Sequence, residues 1–132
     1  MPAGQVTVDA NALQAGLQAE GKIALYGIFF DTGKAALKPE SAPQLEQMGK
    51  LLQSQPALNV YVVGHTDNQG VLEANLVLAQ QRAQAVAMAL STTCKINAKR
   101  IIAKGVANLA PVASNATEEG RARNRRVELV AQ

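Results

Sequence analysis

Tyr61 to Val86 reads YVVGHTDNQGVLEANLVLAQQRAQAV, and a strand gives way to a helix inside it. Leu58 to Val63 is an apolar run rich in β-formers, and Gly64 ends it, so Thr66 and Asp67 fall just past the carboxyl end of a strand. Asn68 and Gly70 signal the turn that follows. Beyond it Leu72, Leu76, Ala79, Ala83, Val86 and Leu90 recur at alternating steps of four and three, which is helical spacing with that stripe turned inward. At about 100° per residue, Asn75 and Arg82 lie on one line at the shoulder of the stripe, where an arginine is half sheltered. Ligands favour the edge formed by the carboxyl ends of strands in open sheets.

Asp67 and Arg82 thus supply an acceptor and a forked donor from a strand end and the next helix. That pairing suits the ammonium and carboxylate of an amino acid. The same two residues also read as a plain intramolecular ion pair, and their types and spacing leave both readings open.

The motif itself goes further. GHTDNQG, with ten residues from Asn68 to Val77 before LAQQRAQAV, resembles the signature of the OmpA-like, or OmpA/MotB carboxy-terminal, peptidoglycan-binding domain. Thr66, Asp67, Leu78, Arg82, Ala83 and Val86 meet the family pattern, and Ala79 stands where serine is usual. The departure removes one hydroxyl near the helix start and keeps both charged residues, so it is expected to tune the site. The closing stretch ATEEGRARNRRVEL resembles the family nearly as closely, and the resemblance extends from about Ile23 to Val130. It implies non-covalent binding of peptidoglycan through the diaminopimelate of the stem peptide, with Asp67 accepting from the α-ammonium and Arg82 forking onto the α-carboxylate. It also implies ligand roles for Thr66, Asn75 and Leu78, for Asp31 and Thr32 at an earlier strand end, and for Arg125 as a second basic contact. Read without the resemblance, Asn75 is an exposed helix residue and Asp31 a turn-capping carboxylate.

At 132 residues the chain has one domain's worth of sequence, enough to bury a real core. Hydrophobic residues make up 48% of it and aromatics only 3%, which calls for an aliphatic core with close helix packing. No apolar run approaches the ~20 residues of a membrane span. MPAGQV shows neither the basic nor the apolar region of a secretory signal, which fits either a cytosolic protein or a fragment. The resemblance implies the fragment, part of a longer envelope protein held in the periplasm at the outer membrane by a missing N-terminal region. The net charge of +3 raises nucleic-acid binding as a hypothesis, but its excess sits in RARNRR, with few aromatic residues for base stacking. A mostly solvated basic cluster without specific nucleic-acid affinity is expected.

Along the chain, Val6 to Glu20 holds a short β-like piece and a helix capped by Asp9 and ended by Gly21, forming an extension over 1–21 that packs on the domain's edge. The domain proper is set at 22–132. Ile23 to Phe30 reads as its first strand, Glu40 to Ser54 as its first helix, and Arg100 to Val106 and Arg125 to Val130 as its last two strands. Pro39, Pro43 and a Ser41/Gln44 capping box compete for the helix start. Gly49 implies close approach to a neighbour, Gly105 with Pro111 a loop, and Thr117 the cap of one helical turn. The order strand, helix, strand, helix, strand, strand gives an α/β (α+β) two-layer sandwich, a mixed sheet covered by two helices on one face, as in the OmpA-like fold.

One histidine and one cysteine, His65 and Cys94, supply neither a metal cluster nor a Ser-His-Asp triad, and no cofactor is expected. His65 reads as a turn residue whose ring bonds nearby backbone. Arg126 should point away from Arg125 across the strand, and Asn124 should hold the turn. The reading that the resemblance implies is a non-catalytic wall anchor. A protein-interaction module of the same fold with a drifted site is the alternative, followed by a wall-polymer hydrolase using Asp31 and Asp67.

Overall fold

The computed structural model describes residues 6–132. Strands β1 (Lys22–Leu25), β2 (Val60–His65), β3 (Ile101–Ala107) and β4 (Arg126–Ala131) form one mixed sheet in the order β1-β4-β2-β3. β4 runs antiparallel to both its neighbours, while β2 and β3 are parallel. Helices α1 (Ala10–Glu20), α2 (Ala42–Ser54), α3 (Leu72–Thr92) and α4 (Glu118–Asn124) complete the fold. Alternation sorts the strands: Val60 and Val62 of β2 and Val127 and Leu129 of β4 enter one core with Leu13 and Leu17 of α1, Met48, Leu51 and Leu52 of α2, and Ala83, Val86 and Leu90 of α3. Three helices therefore contribute to the core where two were expected, because α1 packs on both α2 and β1. Its predicted ends hold, with Asp9 accepting from Ala12 N and Gly21 in the left-handed region at φ 77°.

The first strand is shorter than its apolar run. β1 stops at Leu25, and the chain turns away toward the start of α2, where the Ser41 hydroxyl accepts from Phe29 N at 2.8 Å. Phe30 makes only an isolated bridge to Leu37. Ile28 and Phe30 still pack on the core, but from a loop. The Ser41/Gln44 capping box does not form, since Gln44 instead holds the backbone N–H and carbonyl of Val8 at 2.8 and 2.9 Å. Those two bonds also replace the β-like piece expected near Val6. A 3-10 turn over Pro39–Ser41 leads into α2, so both prolines sit in first-turn positions.

Two glycines read as strand-ending or loop signals lie inside strands. Gly64 of β2 and Gly105 of β3 are paired in register, and a Cβ on either would overlap the backbone of Ala79 or Gln80. They are there so that α3 can lie directly on the sheet. Gln80 fastens the contact, donating to Ala103 O and accepting from Gly105 N. Gly49 meets its expectation, for its Cβ would strike the side chain of Cys94. Thr117 caps α4 by accepting from Gly120 N at 3.0 Å, although α4 spans seven residues instead of one turn.

Candidate functional site

A cleft of about 700 Å³ opens at the carboxyl end of β2, between the loop after β1, the start of α3 and the helix α4. Thr66 and Asp67 leave β2 into its wall, and both are buried. Thr66 is spent internally, its N–H donating to Ala107 O and its hydroxyl to Asp67 O. The Asp67 carboxylate accepts from Gln69 N at 3.0 Å through Oδ1 and from Arg125 Nη1 at 2.8 Å through Oδ2. The plain Asp67–Arg82 ion pair is absent.

Arg82 is instead held by backbone. Its Nε donates to Lys34 O at 2.8 Å and its Nη2 to Asp31 O at 3.1 Å, while the guanidinium carbon lies 4.9 Å from the Phe30 ring centroid. Burial pushes the Arg82 guanidinium below its ordinary pKa, and the charge of Asp67 works in the opposite direction. Among the described residues no carboxylate pairs with Arg82, and Nη1 has no protein partner. A positive charge is thus fixed in the cleft wall, half sheltered and uncompensated by direct contact.

The remaining predicted residues divide. Thr32, Asn75, Leu78 and Arg125 line the cleft with Thr66, Asp67 and Arg82. Asn75 donates to Gln69 O at 2.9 Å, which braces the turn before α3. Asp31 contributes its carbonyl to Arg82, but its carboxylate is 72% exposed, faces Lys38 Nζ at 3.4 Å, and is not part of the lining. That placement removes one member of the carboxylate pair a hydrolase would need.

Glu118, Tyr26 and Gln69 also line the cleft and were not anticipated. Glu118 follows the cap Thr117, where a carboxylate is common for its effect on the helix dipole, so its role toward Arg125 left no separate mark in the sequence. Arg125 Nη2 donates to Glu118 Oε2 at 2.6 Å, and Arg121 Nε to Glu118 Oε1 at 3.2 Å. The expected solvated basic cluster is therefore mostly built into the fold. Arg126 is buried on the opposite side of β4 from the core, bonded to Glu128 Oε2 at 2.8 Å and to the carbonyls of Asn124 and Ala110. Asn124 holds the turn as expected, bonding Val112, Ala113 and Asn115.

His65 departs from its expectation. Its buried ring bonds no backbone, and its nearest charged neighbour is Glu128 Oε1, 3.5 Å from Nε2. The Glu128 carboxyl is held at about 2 by His65 and by Arg126, against the effect of burial. Of these two contacts the 2.8 Å bond from Arg126 is the stronger, since 3.5 Å is at the limit of hydrogen bonding.

The OmpA family model matches residues 29–125, a span that contains Asp67, Arg82, Glu118 and Arg125 of the cleft. Probable lipoprotein YiaD of Escherichia coli (strain K12) is 43% identical over 102 residues, covering 77% of this chain and 46% of that protein. Peptidoglycan-binding protein ArfA of Mycobacterium bovis is 39% identical over 103 residues, covering 78% and 31%. The chain thus spans less than half the length of either relative. Among solved structures, the peptidoglycan-associated lipoprotein from Burkholderia pseudomallei superposes with a TM-score of 0.72 at 32% identity, over 86% of this chain and 92% of that one. The cell wall anchor of the type VI secretion system from Pseudomonas aeruginosa gives 0.71 at 32% identity, over 96% and 99%. Sheet order, cleft and sequence agree, and the chain belongs to the OmpA family.

Proposed function

We propose that this chain is a non-catalytic peptidoglycan-binding domain that takes the diaminopimelate of a stem peptide and anchors a larger envelope protein to the wall. The observation that carries the reading is Arg82, a sheltered guanidinium with an unpartnered Nη1. It stands in the same cleft as a buried carboxylate that is only partly saturated. An ionised carboxylate has roughly four lone-pair sites. Gln69 N and Arg125 occupy two of those on Asp67, which leaves it able to accept from an ammonium. The far end of diaminopimelate carries an ammonium and a carboxylate on one carbon, and so satisfies both residues at once. The cleft is larger than that end group, with room for neighbouring stem residues.

Selectivity follows from the missing group. Lysine at the same stem position offers the ammonium alone, and leaves Arg82 desolvated without an anion, which is penalised. Amidation of the diaminopimelate carboxylate has the same effect. The test is side-by-side calorimetric titration of diaminopimelate, amidated and lysine-type stem peptides, with co-sedimentation on purified sacculi. Binding of the first alone is expected, and equal affinities would remove Arg82 as the carboxylate reader. A single domain binds weakly, and retention grows when an assembly presents several domains to one polymer.

A further inference from the structure

Building on the diaminopimelate reading, we infer that Glu118 is a positioning residue that sets ligand specificity: it holds half of the Arg125 fork away from Asp67 and thereby keeps Asp67 open to a ligand ammonium. Arg125 stands between two carboxylates, giving Nη1 to Asp67 Oδ2 at 2.8 Å and Nη2 to Glu118 Oε2 at 2.6 Å, with a long second contact from Nη1 to Glu118 Oε1 at 3.5 Å. A guanidinium offered a single carboxylate prefers to fork onto it with both nitrogens. With Glu118 in place that geometry is denied, and Asp67 keeps Oδ1 for Gln69 N and the ligand. Without Glu118, the freed Nη2 turns to Asp67, and an incoming ammonium has to displace a bidentate arginine.

Charge points the same way. Arg126 in the lining is paired with Glu128, and of the other ionised lining residues Arg82 and Arg125 balance Asp67 and Glu118, so removing Glu118 leaves those two cations facing one carboxylate. Arg121 fixes the Glu118 rotamer from the next turn, with Nε on Glu118 and Nη1 on Asn115 O. The Glu118 carboxyl is held below the usual carboxylate range first by Arg125 and also by Arg121, and Arg125 is raised in turn, so the relay stays charged at neutral pH. The Glu118 side chain is 64% exposed, and an exposed charge acts through screened interactions, so a severalfold effect is expected.

The test compares a tripeptide ending in meso-diaminopimelate with the same tripeptide acetylated on its free amine, titrated into wild type, Glu118→Gln and Glu118→Asp by calorimetry, with thermal melts to verify folding. Glu118→Gln is expected to weaken the free-amine peptide about three- to fivefold, and to leave the acetylated peptide unchanged or tighter. Glu118→Asp should recover most of the loss. Equal loss for both peptides would mean that Glu118 is merely structural, and no change for either would mean that it does not act on Asp67; each overturns the inference. Failure of wild type to bind the free-amine peptide would overturn the diaminopimelate reading and this inference with it.

Discussion

Asp67 and Arg82 occupy one cleft but answer to different parts of the chain. Asp67 is set by Arg125, 58 positions away, and Arg82 by two carbonyls of the loop after β1. Helical periodicity could place Arg82 at the shoulder of α3, but nothing local to Asp67 indicates that its partner comes from the end of α4. Asp67→Ala and Arg82→Ala should each lower binding to sacculi by ~1.5 to 3 kcal/mol, the scale of a charge-assisted hydrogen bond. Only Arg82→Ala should also speed proteolysis between Asp31 and Lys34, because it alone releases that loop. Limited digestion of both variants separates these effects, and equal digestion would contradict the loop's dependence on Arg82. Glu128 gives a second measurable consequence. Its carboxyl titrates near 2 in the fold against an ordinary 4.5, so its contribution to stability is complete above about 4.5 and is lost as pH falls toward 2. Urea unfolding at stepped pH should show that loss in wild type and a shallower slope over the same window in Glu128→Gln. Identical slopes would remove Glu128 as its source.

The central helix was legible from its apolar stripe, of which Ala79, Ala83, Val86 and Leu90 are buried, while Leu72 and Leu76 at its start are only half buried. The strands were harder to read at their ends. Glycine marks both a turn and a close approach, and sequence alone does not say which, so Gly64 and Gly105 were given the turn meaning when the packing of α3 required the other. The run Ile23 to Phe30 was apolar enough for a long strand, yet the Ser41 hydroxyl claims the backbone N–H and carbonyl of Phe29 and holds the end of the run outside the sheet. If the glycines serve α3, Gly64→Ala and Gly105→Ala must push the helix off its seat. Each should destabilise the domain by ~1 to 3 kcal/mol, the range for overpacking. Alanine at Gly21, where no atom lies within reach of a Cβ, should show only the milder strain of its positive φ. Denaturant midpoints for the three variants check the ranking, and a Gly64→Ala protein as stable as wild type would refute the close-approach explanation.

Fold class and strand count were readable because the element types alternate in an order that few sheets accommodate, while the pairing order β1-β4-β2-β3 rests on contacts between distant strands. That order has a mechanical meaning. β1 runs from Gly21, at the end of the sheet away from the cleft, toward Tyr26 in the cleft lining, and its bonds to β4 join Lys22 to Val130 through Leu25 to Val127. Tension between Gly21 and a ligand held at the cleft is directed along these strands. Interstrand hydrogen bonds lie across that direction, so they are strained in concert, as a lap joint is. Tension between Gly21 and Gln132 instead parts two adjacent strand ends and opens the same bonds one after another, as a zip opens. Single-molecule stretching with handles at Gly21 and Gln69 should therefore need a higher force to unfold the domain than handles at Gly21 and Gln132. Equal forces would show that β1 and β4 do not bear the load. A cleft at the far end of an edge strand is thus expected to make the fold resist more when pulled between Gly21 and the cleft than between its two adjacent strand ends.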